Sequence, residues 1–422
     1  MGASEIKNFS VSVCEPEWLL AQRLTAFEAF EELEPPFFER IKFERWGLSG
    51  SGSVAIGETA ASGDVPDFTA VDGPLVVQVG SQTVYQQLPQ ALVDAGVVFT
   101  DFSSALTEIP ELMKNYLGRV IAADEDQLAA ANLASFNSGL VLYVPANVTI
   151  DAPLEAQIFH HSDSYIPFNK RILIIAGENA KFSYLERLRS TLDGTDKTTG
   201  NVVVEVIAEA GAEVKYSALD ELNEHLNVII RRRGLIGENA SVDWSLGIMN
   251  AGNVVYDVDS ELRGIASRST IKAVGISAGR QVQGVNTRVT NYGRQSVGHI
   301  RQNGVILEHG TLTFNGIGHI INGASGADAQ QSSKVLMLSD GARGDANPIL
   351  LIDENDVTAG HAASVGQIDA DDMYYLMSRG LDEQTAKRLV IRGFLGSVVT
   401  EIPVKSVRDE FIATIDRKLG FS

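Results

Sequence analysis

The chain of 422 residues is 44% hydrophobic and carries a formal net charge of −20, so it can bury a large core but offers no basic face to nucleic acid or to an anionic membrane. Its one cysteine, Cys14, excludes an internal disulfide framework. Met1 to Ser12 lacks an apolar signal core, and no run reaches the roughly 20 apolar residues of a membrane span, so a cytoplasmic protein is expected.

Leu19, Leu20, Leu24, Phe27 and Phe30 recur at helical spacing and predict a helix from Glu17 to about Leu33, ended by Pro35 and Pro36. A Gly/Ser/Ala-rich run from Gly47 to Gly63 reads as a connection. Short strands over Leu75–Val79 and Gly96–Thr100, with helices over Glu108–Leu117 and Glu125–Ala134, predict a small N-terminal α/β region, residues 1–136.

From residue 137 to 362 helical periodicity is lost. Runs such as Arg171–Ile175 and Asn201–Val206 alternate with turns rich in Gly, Asn and Asp. Some turns resemble one another. Gly177-Glu178-Asn179-Ala180, Gly211-Ala212-Glu213 and Gly237-Glu238-Asn239-Ala240 each precede a strand, at steps of 34 and 26 residues by subtraction. Gly310 and Ser339-Asp340-Gly341-Ala342 continue the theme. The spacing suits a β-solenoid of one or two coils per repeat, with a β-sandwich as the competing arrangement.

Residues 363–422 return to helical spacing. Asp382 stands as an N-cap before Ala386, Leu389, Val390 and Phe394, and Pro403 opens a last helix through Val404, Val407, Phe411 and Ile415. Each helix is apolar on one face, so it either caps the solenoid end or docks a partner.

The chemistry is defined by what is missing. There is no phosphate loop, no dinucleotide fingerprint, no nucleophile elbow, no H-E-x-x-H and no C-x-x-C; Gly47 to Gly52 is glycine-rich but lacks the phosphate-holding lysine. His299, His309 and His319 are spaced by ten, which coils of 26 to 34 residues would not stack on one face. The His160-His161 pair lies beside an apolar run and reads as structural, while His225 adjoins Glu224 and carries no signal. His361 stands apart, close behind Asp353, Glu354 and Asp356. Imidazole with carboxylates suits iron, zinc or manganese, while a hydrogen-bonded histidine at a structural junction is the other reading.

The run from Leu351 through Asp353-Glu354-Asn355-Asp356 and Gly360-His361-Ala362 to Asp369 resembles the signature of the SufB/SufD family. Tyr374 to Leu381, Ala386 to Leu395, Glu15-Pro16-Glu17-Trp18-Leu19 and Arg45-Trp46-Gly47-Leu48 are similar to further family segments, so the resemblance covers nearly the whole chain. It implies a right-handed parallel β-helix with helical ends and a non-catalytic scaffold role in iron–sulfur cluster assembly. It further implies pairing with a SufB-like paralogue through the solenoid end, and binding of a SufC-like ABC-type ATPase through the C-terminal helices. Tyr374, Arg379, Arg388, Arg392 and Phe394 are the residues expected at that partner surface, and His361 is expected beside a nascent cluster shared with the paralogue. No tightly bound cofactor is expected, only transient iron or a cluster at the interface.

A cluster is usually anchored by four thiolates, and one cysteine favours the SufD branch. Val357-Thr358-Ala359-Gly360 lacks the cysteine that some members of that branch place before the histidine, so any sulfur ligand would come from the partner. The exposed solenoid edge also invites pairing with a second copy. Two further alternatives are a β-helix enzyme acting on polysaccharides and a purely structural solenoid.

Overall fold

A computed structural model describes residues 2–48, 68, 71–160, 167–190, 197–400 and 405–420. The N-terminal region comprises α1 (Ala3–Ser12), α2 (Glu17–Phe30), β1 (Leu75–Val79), β2 (Gln82–Gln87), α3 (Gln90–Asp94), β3 (Val98–Asp101), α4 (Phe102–Glu108), α5 (Pro110–Tyr116) and α6 (Gln127–Ser135). The helix expected over Glu108–Leu117 is α5, which starts only after a break at Ile109 that separates it from α4. Pro110 supplies no amide donor and forbids helical angles to the residue before it. α6 begins where Asp126 accepts the N–H groups of Leu128 and Ala129. The connection expected over Gly47–Gly63 lies mostly outside the described residues.

The body is a parallel β-solenoid. Its strands are β4 (Ser138–Val144), β5 (Leu154–His160), β6 (Phe168–Ala176), β7 (Lys181–Ser190), β8 (Thr198–Ala208), β9 (Glu213–Glu221), β10 (Leu226–Ile236) and β11 (Ser241–Ile248). They continue as β12 (Asn253–Leu262), β13 (Arg268–Ser277), β14 (Val282–Asn291), β15 (Val297–Ile306), β16 (Thr311–Ile320), β17 (Asp328–Met337), β18 (Arg343–Ile352) and β19 (Thr358–Gln367). Even-numbered strands from β4 to β18 stack in one sheet and odd-numbered strands from β5 to β19 in the other, so each coil lays one strand on each face.

The corners keep the coils in step. Asn147, Asn179, Gly211, Asn239, Ala266, Gln295 and Gly326 all adopt left-handed backbone angles, at successive steps of 32, 32, 28, 27, 29 and 31 residues. Each donates its N–H to a carbonyl in the matching corner of the next coil, from Asn147 to Glu178 through to Gly326 to Asp356. The repeat suggested by Gly177, Gly211 and Gly237 is therefore real but offset, because Asn179 rather than Gly177 is the equivalent of Gly211. Gly310 and Gly341 belong to the opposite corner.

Alternate residues point inward, and the register stacks them in columns. One column of the odd sheet runs Tyr184, Tyr216, Trp244, Ile271, Ile300 and Gln331, ending on His361. The aromatic members stack with ring centroids 5.2 and 4.8 Å apart. Beside them lies a fully buried polar cluster. Arg232 donates to both oxygens of Asp220 at 2.9 and 3.0 Å and to Glu186 at 2.8 Å, while the Tyr256 hydroxyl donates to Asp220 at 2.7 Å. Each of these charges has a partner, as the low-dielectric interior requires.

The N-terminal end of the solenoid is closed. β3 runs antiparallel to β4, and β1 sits between β5 and the antiparallel β2, so both first strands have neighbours. Lys170 reaches into this cap and donates to Gln78 Oε1, the Gly80 carbonyl and Ser138 Oγ at 2.8, 2.9 and 2.7 Å. Among the described residues no carboxylate bonds it there, and burial, against the weaker pull of the Glu186 charge, pushes its pKa down to about 7.

After β19 come α7 (Ala370–Ser378), α8 (Glu383–Val399) and α9 (Lys405–Lys418). Asp382 accepts the Thr385 N–H at 2.9 Å, as an N-cap should. Pro403 and Val404 lie outside the described residues. α8 and α9 do not cap the solenoid end. They fold back along the outer face of the odd sheet, where Ile391, Leu395, Phe411 and Ile415 pack on Leu219, Met249, Val274 and Val305. Gly247 forms the socket for this docking, because a Cβ there would sit 2.0 Å from the Phe411 ring. The reason is that apolar outward residues of β9, β13 and β15, with Met249 just past β11, offer the two helices an apolar sheet face.

Candidate functional site at the open end

The last rung, β18 and β19 with the corner between them, has no neighbour beyond it among the described residues. Ile352 and Val365 hold the inward register of buried Ile320 and Val335, yet they are 42% and 41% exposed because no further coil covers them. Leu351, on the outward face, is 45% exposed. Both strands also present a free row of backbone donors and acceptors, which is a template for another chain.

His361 lies in β19 opposite Gln331, in the inward register and exposed. The three carboxylates before it are not gathered around its ring. Asp353 Oδ2 lies 3.5 Å from His319 Nε2, and Asp356 Oδ2 accepts from Ser325 Oγ at 2.8 Å. Glu354 takes the Gly323 N–H at 2.9 Å; that bond, with those from Asn355 and Asp356, holds its carboxyl below the ordinary range. These groups fix the final corner, and His361 stands beyond it. Among the described residues, no three His, Cys, Asp or Glu side chains are grouped to hold a metal ion.

The remaining histidines are dispersed. His299 lies in β15, 3.1 Å from Asp328, while His319 lies in the other sheet, with His309 in the corner between them. His160 is buried with its ring centroid 4.8 Å from that of Phe168, and His161 lies outside the described residues. His225 lies 3.6 Å from Glu224.

The five residues expected at the ATPase surface divide. Tyr374 and Arg379 are exposed on and just after α7, joined by Tyr375, Met377 and, on α8, Leu389. Arg388 and Arg392 instead tie α8 to α9 by gripping Asp416, with Arg388 Nη2 at 2.7 Å and Arg392 Nε at 3.0 Å. Against the burial that opposes it, hydrogen bonds from Arg392 and Arg388 hold Asp416 below its ordinary range. Phe394, on α8, is half-buried against the apolar cluster between the helices and the odd sheet, and its carbonyl accepts from Asn303 at 2.7 Å.

Residue spacing did not reveal the inward register of Ile352 and Val365, nor Gln331 beneath His361. The available signal was strand alternation counted back from the family motif.

The fold and its end define a class: a long parallel β-solenoid closed at one end, open at the other, with helices laid along one flank. Residues 159–394 match the SUF system FeS cluster assembly SufBD core domain, and residues 58–156 match the SufBD protein N-terminal region. The chain belongs to the SufBD family. It is 38% identical over 425 residues to the iron–sulfur cluster assembly protein SufD of Bacillus subtilis, covering 98% of this chain and 97% of that one. It is 27% identical to an iron–sulfur cluster assembly SufBD family protein of Staphylococcus saprophyticus, covering 96% and 90%. The chain is thus a SufD-type iron–sulfur cluster assembly protein. Among the described residues, no helix is long and apolar enough to cross a membrane.

Proposed function

We propose that this chain is a non-catalytic, cytoplasmic scaffold whose open solenoid end docks a SufB-like paralogue. The observation that carries this is the uncovered last rung, where inward-register Ile352, Val365 and His361 meet solvent while the opposite end is closed by β1, β2 and β3. Docking would bury the apolar pair and satisfy two strand edges together.

His361 would then face the partner, supplying one neutral imidazole to iron or to a nascent cluster. The cluster is cargo, and its thiolates would come from the paralogue, since Cys14 is remote in sequence. A SufC-like ABC-type ATPase would sit on the exposed apolar residues of α7 and α8, with Tyr374 and Arg379 at the contact. The bracing of α8 to α9 by Arg388, Arg392 and Asp416 would carry its movement to the sheet beneath.

Replacing His361 by Ala tests the reading. Cluster yield in the assembled complex should fall by about tenfold or more, the scale of losing a group that tunes a metal site, with the subunit's melting curve unchanged. An unchanged yield removes His361 from the site.

A further inference from the structure

The strap that follows α2, residues 34–48, runs over the outer face of the even sheet as far as the open end. The Glu34 carbonyl accepts the Gln127 N–H at 3.0 Å, and the Glu39 carbonyl accepts from Asn315 Nδ2, on β16, at 3.0 Å. Arg40 Nη1 lies 3.4 Å from Asp345 Oδ1 on β18, the last strand of that sheet. Between these anchors Pro35 and Pro36 fix the backbone angle φ, and Phe38 takes the buried position, its ring centroid 5.9 Å from that of Phe43. Phe37 is left 84% exposed, more than any other large apolar side chain among the described residues.

Phe37 borders a groove of about 700 Å³ whose floor is the outward face of the last even strands. Ile317 and Ile349 follow Arg288 in one column of the register, and Leu351, 45% exposed, leads on to the open end. Arg288 is exposed, and among the described residues no hydrogen bond or ion pair holds its guanidinium. Asp259, one rung inward, has Arg233 at 3.7 Å, while Glu34 and Glu39 line the strap side of the groove.

The end face alone is small. Two strands of ten residues at about 3.3 Å each, in sheets about 10 Å apart, give about 330 Å², roughly doubled by the outward side chains. A specific interface takes about 800 Å² from each partner, so a protein seated on the end needs further surface. The groove supplies it without a break at Leu351, and an aromatic near an arginine that lacks an ion pair is the composition of a binding hot spot. We propose that the paralogue docked on the open end also reaches onto this flank, laying an apolar residue against Phe37 and Leu351 and a carboxylate on Arg288. The inference rests on the function proposed above and adds a segment of the N-terminal region to the docking surface.

The test is the affinity of the full chain for a purified SufB-like paralogue, measured by titration calorimetry at several salt concentrations. Phe37→Ala should weaken binding by about tenfold or more, with the melting curve unchanged because the side chain already meets water. Arg288→Ala should weaken it less and flatten its salt dependence. A Phe37→Ala affinity equal to that of the unaltered chain overturns the proposal, as does an undiminished salt dependence in Arg288→Ala. Val365→Asp reports on the end itself. Binding lost there but kept in Phe37→Ala removes the flank alone, whereas the reverse keeps the flank and removes the end. An unaltered chain that binds no paralogue removes both.

Discussion

The two ends of the solenoid are built from the same coil and finished in opposite ways. At the start, β3 and β1 pair with the first strands, and Val76, Val97 and Phe99 join the continuous core. At the finish, the inward positions of β19 carry Ala359, His361, Ala363 and Val365, and nothing lies over them among the described residues. A solenoid needs a cap at each end to stay soluble and unpaired. The chain spends three strands on one end and, among the described residues, leaves the other bare, which is the contrast that supports the docking proposed above. The helices that could have covered it lie instead along the odd sheet, held by Phe411 over Gly247.

If that contrast is right, the two ends must respond differently to substitution. Phe99, 1% exposed in the cap, should cost about 3–5 kcal/mol when replaced by Ala. Urea denaturation of the isolated chain measures this, and a loss below about 1 kcal/mol would mean that the cap is loosely packed.

The cap should also give the chain a pH dependence. Lys170 has a folded pKa of about 7 against an ordinary 10.5, so between those values the unfolded chain holds a proton that the folded chain has released. Stability therefore rises with pH across that window, by up to about 1.4 kcal/mol per unit, and the penalty is complete below about pH 7. Lys170→Met should flatten the slope; an unchanged slope would assign it to another group.

The smallest effect belongs to the open end. Val365→Asp should change the stability of the isolated chain by no more than about 0.5 kcal/mol, because the side chain already meets water. A loss comparable to that of Phe99→Ala would show that the last rung is covered in solution.

Much of this was legible in the residues. The run at Leu75–Val79 is a strand with the bounds expected of it, and the Asp353–His361 segment lies at the end of the strand-rich region, before the C-terminal helices, as the residue pattern suggested. The Asn and Gly corners gave the repeat because those residues enter the left-handed region at little cost. Ala266 and Gln295 hid two corners, since neither favours that region and both are held there by stacking on the next coil. α1 and α7 went unread, the latter because Asp371, Asp372, Tyr374 and Tyr375 leave it no buried face to give a stripe. The flank position of α8 and α9 could not be read at all. It depends on which outward residues of four separate strands come together, and no local pattern encodes that.

Hydrogen–deuterium exchange of the chain, alone and bound to a cysteine-bearing paralogue, tests the central claim most directly. The account predicts strong added protection over β18 and β19, including the backbone around His361, with β1, β2 and β3 unchanged. Protection centred on the closed end, with β18 and β19 exchanging as in the free chain, would contradict it.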